Sequence, residues 1–559
     1  MRRSGVRFGA LVVILLLLLF AAFAGTARAA TTQPTHVLIV VMDQMHPEYA
    51  KQYNMTNVLW LEQHGAWFPN AYVGDMASET VVSHNVMVSG LFPKHMGWSD
   101  EAFRDTGNVL GDTGGKGIYV TGDLGYSDFQ KLVASGDYPK LGTYLHAKYP
   151  GSIVACVGEK SYQVESMTAG NADIGVRLSG TKTTEPMFTT LGGKWRGPAG
   201  VNVPAYIAND TRFDVNSDVA YNNYGTLTSS PAWIYPEDGD RMIPGTTEGH
   251  AGGDNWVADA TIKIMDNENW SGLFVNFGAI DKVGHMWGGG EVDSLKTYQW
   301  DPNSLENQVH EPFIAKNADT QLGRLIGELK ATGQYDNTLI VVLADHASTA
   351  ATKHFYGLNA QNAGDYNWYH GDSVNDGNYY NDPAHPVVPA LKPLWDTGNV
   401  EFTYSSTAIE AWLTDFSMPE KQAEAAVMRT TPGVIATYVK NDAGTGYTRT
   451  SVDTSSLSKS SLAWFNKHAQ ELVDTMAWSG SADVVGLLQD RTTYGAFGDH
   501  GGAQKDVQSI PMVFYDPSLK TVKYTAAARL VDVMPTIMHT MGIASTQAMD
   551  GKAYVLQTK

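Results

Sequence analysis

The 559-residue sequence predicts an α/β fold, with a central, mostly parallel sheet flanked by helices. Three observations lead there. Continuous apolar, β-branched runs of strand length recur along the chain, and strands buried on both faces belong to parallel sheets covered by helices. The stretch "FIAKNADTQLGRLIGELKAT" (313–332) has helical spacing and feeds directly into such a run, as in an α/β crossover. Acids and histidines cluster where those runs end, which is where open α/β sheets bind ligands.

Taken in order, the chain opens with Arg2, Arg3 and Arg7, then an apolar run from about Leu11 to Ala24, then Ala27-Arg28-Ala29. A basic start, a short apolar core and a small-x-small site read as a signal peptide over 1–29, with secretion or delivery to the periplasm or cell envelope. No later run is long enough to span a bilayer, so no transmembrane segment is expected after cleavage. The predicted strands are "HVLIVVMD" (36–43), "GSIVACVG" (151–158), "SGLFVNFGAID" (271–281), "NTLIVVLADH" (337–346) and "SIPMVFYD" (509–516). The tail "ARLVDVMPTIMHTMG" reads as a helix. Residues 30–559 form one catalytic domain in this reading. Two segments rich in Gly, Asn, Tyr, Trp and Pro, at about 182–255 and 350–480, are read as insertions capping the site.

The net charge of −19 argues against nucleic-acid binding, which needs a basic face. A single cysteine, Cys156, excludes an internal disulfide and sits within a strand as a core thiol.

Asp43 ends the first run. Asp281 ends another, with His285 four residues later, so that one helical turn would aim both at one ion. Asp345 and His346 end a third. His500 lies in "FGDHGG" before the last run. Any one of these could be a turn residue or a solvated side chain. Together, three carboxylates and three imidazoles suit zinc, which accepts both N and O ligands. With Thr80, seven ligands in two groups would hold two metals. Thr80 falls at the expected start of a helix in "SETVVSHNVMVSG" (78–90), where free amides favour an anion. Its hydroxyl becomes a nucleophile when a metal holds it as an alkoxide. Ser78 and Ser83 are alternatives, and His84 reads as structural.

The ordered set "VVMDQM", "ETVVSHNVMVSGLFPKHMG", "GAIDKVGHMWG", "DTQLGRLIGELKATGQYDNTLIVVLADH", "GDHGG" and "LVDVMPTIMHTMGI" resembles the alkaline phosphatase superfamily. The resemblance is closest to its branch of type I phosphodiesterases and nucleotide pyrophosphatases, and it covers most of the chain outside the two insertions. It implies a two-Zn2+ phosphohydrolase, other divalent metals being possible, that acts on a small phosphorylated substrate through a phosphothreonine on Thr80. It groups Asp43, Thr80, Asp345 and His346 around one metal and Asp281, His285 and His500 around the other. Lys160 resembles the lysine with which some phosphomonoesterases of the superfamily contact phosphate; a surface lysine is the competing reading.

Glu101 departs from the diesterase pattern, in which an asparagine donates to phosphate about 21 residues after the nucleophile. It could hold a third metal, meet a cationic substrate group, or point away. The segment "TVVSH" lacks the CxPxR of a sulfatase. Two alternatives stay open: a dedicated nucleotide pyrophosphatase, and a secreted metal-binding protein without catalysis. His354, His370 and His385 match no ligand spacing and are read as loop residues.

Overall fold

The computed structural model describes residues 33–98, 100–111, 117–177, 187–191, 194–197, 202–208, 251–287, 305–350, 354–355, 389–495 and 498–559. The segment read as a signal peptide, most of the first insertion and His370 and His385 of the second lie outside them.

A ten-stranded sheet forms the body. Its strands are β1 (His36–Met42), β2 (Ala66–Trp67), β3 (Ile153–Gly158), β4 (Ile174–Arg177), β5 (Met187–Leu191), β6 (Lys194–Arg196), β7 (Trp270–Phe277) and β8 (Thr338–Leu343). A second sheet follows: β9 (Val400–Ser405), β10 (Ala408–Leu413), β11 (Val434–Lys440), β12 (Tyr447–Val452) and β13 (Val484–Leu488). The chain then returns to the first sheet with β14 (Met512–Tyr515) and β15 (Val522–Lys523). The body runs β15-β2-β14-β8-β1-β7-β3-β4-β5-β6, and the strands from β8 to β5 in that order are parallel. The middle strands β1, β7 and β8 are buried almost throughout, as continuous apolar runs require.

The principal helices are α1 (Thr80–Ser89), α2 (Ser161–Thr168), α3 (Ala251–Asn267), α4 (Ala279–Trp287), α5 (Leu305–Ala331), α6 (Met418–Met428), α7 (Lys459–Asp474) and α8 (Val533–Thr540). α1 carries four valines, which are poor helix formers, yet all ten of its residues are buried. Packing therefore overrides propensity there. Gly90 closes α1 in a left-handed conformation (φ 69°), and a Cβ on it would press on Met549.

The second sheet, ordered β9-β10-β13-β11-β12, is antiparallel and occupies part of the segment read as the second insertion, running on to Leu488. It has an apolar cluster on each face. Ala408 and Trp412 meet Phe465 and Val473 of α7, while Ile409 and Leu413 meet Ala425 and Met428 of α6. This alternation is the period of a strand covered on both sides.

Candidate metal centre and active site

The parallel strands end at one edge of the body. β14 runs antiparallel to β8, so its beginning lies at that same edge. Loops leaving β1, β7 and β8 and the loop entering β14 therefore converge. Asp43 follows β1, and Asp345 and His346 follow β8. Asp281 and His285 sit one turn apart on α4; β7 ends at Phe277, so Asp281 is a helix residue rather than the end of a strand. His500 precedes β14. Thr80 is the first residue of α1.

Two groups result. Asp43, Asp345 and His346 form one and Asp281, His285 and His500 the other; within each, one ligand atom per residue lies within 4.8 Å of the rest. All six are buried. Thr80 Oγ1 is 3.2 Å from His346 Nε2. His285 Nε2 and His500 Nε2 are 3.0 Å apart and face Asp281 Oδ1 at 3.1 and 3.4 Å. Two imidazole nitrogens and a carboxylate meeting at one point make a donor set for a cation of zinc's type. In the first group Asp43 Oδ1 and Asp345 Oδ2 are buried without a hydrogen-bond donor. Such oxygens are costly unless a cation meets them. The residues present fit metals at both groups.

Lys160 joins the groups. Its ammonium donates to Thr80 Oγ1 (3.1 Å) and to Asp281 Oδ2 (2.6 Å) and pairs with Asp43 Oδ2 (2.9 Å). It is 2% exposed, so it is no surface lysine. Burial alone would lower its pKa, but Asp281 and Asp43 outweigh burial and hold it well above the ordinary value. Burial would raise Asp281, but His285 and Lys160 keep its carboxyl well below the usual range. Burial and then Asp43 push Asp345 well up. Burial, reinforced by His500, drives His346 well down, which leaves a neutral imidazole able to ligate.

The surrounding residues orient these groups. Asn276 Nδ2 donates to Asp43 Oδ2 (3.0 Å) and meets His84 Nε2 (3.0 Å). Burial takes His84 down to about 4, so it is neutral. With Asn276 as donor at Nε2, the His84 proton stays on Nδ1, where the Thr80 carbonyl accepts it (2.7 Å). His84 is thus fixed by structure and does not act as a base. Gln44 donates through its backbone to Asp345 Oδ1 (3.2 Å) and through its amide to Asp281 Oδ1 (3.0 Å). Glu79 Oε2 lies 2.5 Å from His500 Nδ1.

Gln44, Glu79 and Asn276 escape the sequence reading. Asn276 left a signal, because an amide inside a buried apolar strand needs partners. Gln44 left none: it adopts a left-handed backbone (φ 65°) that glutamine seldom takes.

Glu101 does not point away. Its Oε1 accepts from Val81 N (3.2 Å), a free amide at the start of α1, and Oε2 accepts from Thr121. Ser78 Oγ donates to the Gly502 carbonyl (3.2 Å), and Ser83 Oγ is buried and makes no hydrogen bond to either group. His354 lies in a two-residue strand beside Thr492.

A parallel α/β body with two acid–histidine groups beside a threonine at a helix N-terminus suits a hydrolase of phosphoric esters that works with bound cations. Residues 37–374 match the family described as type I phosphodiesterase / nucleotide pyrophosphatase, and the chain belongs to that family. The fold is similar to that of wild-type alkaline phosphatase PafA (TM-score 0.59, 13% identity, 94% of this chain and 99% of that one). It is also similar to human ectonucleotide pyrophosphatase/phosphodiesterase 5 (TM-score 0.51, 10% identity, 92% and 97%). An inactive form of the murine protein, solved in complex with AMP, aligns with a TM-score of 0.50 at 10% identity over 93% and 97%. No curated protein matches the sequence.

Proposed function

We propose that this chain is an exported, zinc-dependent phosphohydrolase that works through a phosphothreonine on Thr80 and favours phosphate monoesters. The observation that carries the reading is the position of Lys160, hydrogen-bonded to Thr80 Oγ1 and set between the two acid–histidine groups. Asp43, Asp345, His346 and Thr80 would hold one zinc and Asp281, His285 and His500 the other, supplying positive charge that lowers the hydroxyl's pKa and offsets the phosphoryl charge.

The chain's own residues do the following. α1 presents Thr80 at its N-terminus, where the helix dipole favours the negative oxygen. The Thr80 hydroxyl gives its proton to solvent and Oγ attacks phosphorus in line; the O–P bond to threonine forms as the bond to the leaving oxygen breaks, and that oxygen takes a proton from solvent. Lys160 keeps one N–H on the threonine oxygen and turns another from a carboxylate to a phosphoryl oxygen that a monoester leaves free and a diester esterifies. Water then attacks the phosphothreonine from the vacated side, inorganic phosphate departs, and Thr80 regains its proton. Export rests on the N-terminal sequence, and mature protein from the culture should begin at Ala30 or Thr31.

The test is kcat/KM of the zinc-loaded protein on p-nitrophenyl phosphate beside bis-p-nitrophenyl phosphate. Monoester preference supports the reading. Diester preference supports a second one, a nucleotide phosphodiesterase, which the family match and the AMP complex of the murine relative favour. Zinc uptake without turnover on either substrate or on nucleotides would return the chain to a non-catalytic metal-binding role.

A further inference from the structure

We propose that Glu79 is a positioning residue for the metal group of Asp281, His285 and His500, and that it is the point through which the second sheet supports that group. This rests on the reading above, in which these three residues hold a metal.

Glu79 and His500 are both buried, at 3% and 7% exposure. Glu79 Oε2 meets His500 Nδ1 at 2.5 Å, while Nε2 on the far side of the ring faces Asp281 and His285. A carboxylate behind an imidazole holds the proton on the near nitrogen, fixes the ring's orientation and makes the far nitrogen a better donor to a metal. The three histidines differ here. Among the described residues, His346 Nδ1 faces the Ala347 carbonyl at 3.2 Å, and His285 Nδ1, in the same group as His500, has Asp499 at 4.0 Å.

The other oxygen of Glu79 faces the second sheet. Tyr404 Oη and Ser406 Oγ donate to Oε1 at 3.5 and 3.4 Å. Both belong to the β9–β10 hairpin, whose turn grips the His500 loop. Thr407 N donates to the His500 carbonyl (3.3 Å) and Thr407 Oγ1 to the Gly501 carbonyl. Gly501 has φ +78°, and a Cβ there would collide with Glu79 Oε1 and Ser406 Oγ, so glycine is needed on both counts. Glu79 also directly precedes Thr80. One residue thus ties the nucleophile's helix to a ligand of the other metal group and to a separate sheet.

The experiment is competition for zinc between a calibrated chelator and the full-length mature protein, comparing the parent with Glu79→Gln, Glu79→Ala and Gly501→Ala, each checked for an unchanged far-ultraviolet circular dichroism spectrum. The parent should show two affinities. Glu79→Ala should weaken one of them by about 10–100-fold and leave the other unchanged. Glu79→Gln, whose amide oxygen still accepts from Nδ1–H, should lose less. Gly501→Ala, which displaces the carboxylate from the opposite side, should weaken the same site and so gives an answer if Glu79→Ala misfolds. Two unchanged affinities in folded variants, or equal weakening of both, would overturn the proposal. A parent that binds no zinc would instead defeat the metal assignment on which it rests.

Discussion

The two sheets divide the labour unequally. The ten-stranded sheet places six candidate metal ligands, Thr80 and Lys160 at one edge, because parallel strands bring their ends together. The five-stranded sheet contributes none of these, yet its β9–β10 turn touches Glu79 and the His500 loop. One sheet carries the chemistry and the other braces it. Substitutions in the first should abolish turnover in a folded protein, while those in the second should act through stability or metal affinity.

The largest expected effect is Thr80→Ala, which should lower kcat by about 10⁴-fold or more with zinc content intact. Loss of metal together with activity would move Thr80 from nucleophile to ligand alone. Next comes Lys160→Ala. Monoester kcat/KM should fall by roughly 10²–10³-fold, the usual cost of removing a donor to developing charge, and diester turnover should fall less. Equal losses would assign Lys160 to holding Asp43 and Asp281 rather than to phosphate.

Trp412→Ala breaks the second sheet at a fully buried ring whose Nε1 donates to the Gly480 carbonyl (3.0 Å). It should cost about 3–5 kcal/mol of stability in denaturant titration. The fraction that stays folded should keep its kcat, and a parallel loss of kcat would erase the division between the sheets.

The smallest effect concerns the seam between them. Asp100 of the body and Glu410 of β10 are both buried, and each carboxyl acts on the other's titration. Burial pushes Asp100 up to about 6 and, reinforced by Asp100, pushes Glu410 well above the carboxylate range. These acids keep protons in the folded state that the unfolded chain releases. Their contribution to stability is therefore present below the ordinary carboxylate pKa of about 4 and is lost as pH rises through the folded value. Glu410→Gln mimics the protonated acid, so it should raise Tm by a few degrees at about pH 8 and leave it unchanged at about pH 4. An equal shift at both values would show that the protonation of Glu410 is not the cause.

Legibility in the sequence follows the same division. The strands of the body announce themselves as unbroken apolar runs because both of their faces are covered, and their ends point to Asp43, Asp345 and His346. The second sheet is obscured because its strands contain buried charges, Glu410 and Lys440, that interrupt the pattern, and because its β9–β10 and β11–β12 turns resemble the loops around them. Thr80, His285 and His500 were legible from residue type and spacing, helped by family resemblance. Lys160 stayed ambiguous because burial cannot be read from one lysine. The Glu79 pairing is a property of the fold alone, since nothing in the local sequence "ASETVV" (77–82) points to a histidine near residue 500.

The central claim is a covalent phosphoryl transfer to Thr80. The direct measurement is to quench the zinc-loaded enzyme in acid during turnover of p-nitrophenyl phosphate and locate phosphate by peptide mass spectrometry. The account predicts phosphate on the peptide carrying Thr80, present only with substrate and zinc and missing in Thr80→Ala. Steady turnover with that peptide unmodified at every quench time, or with phosphate on another residue, would contradict it.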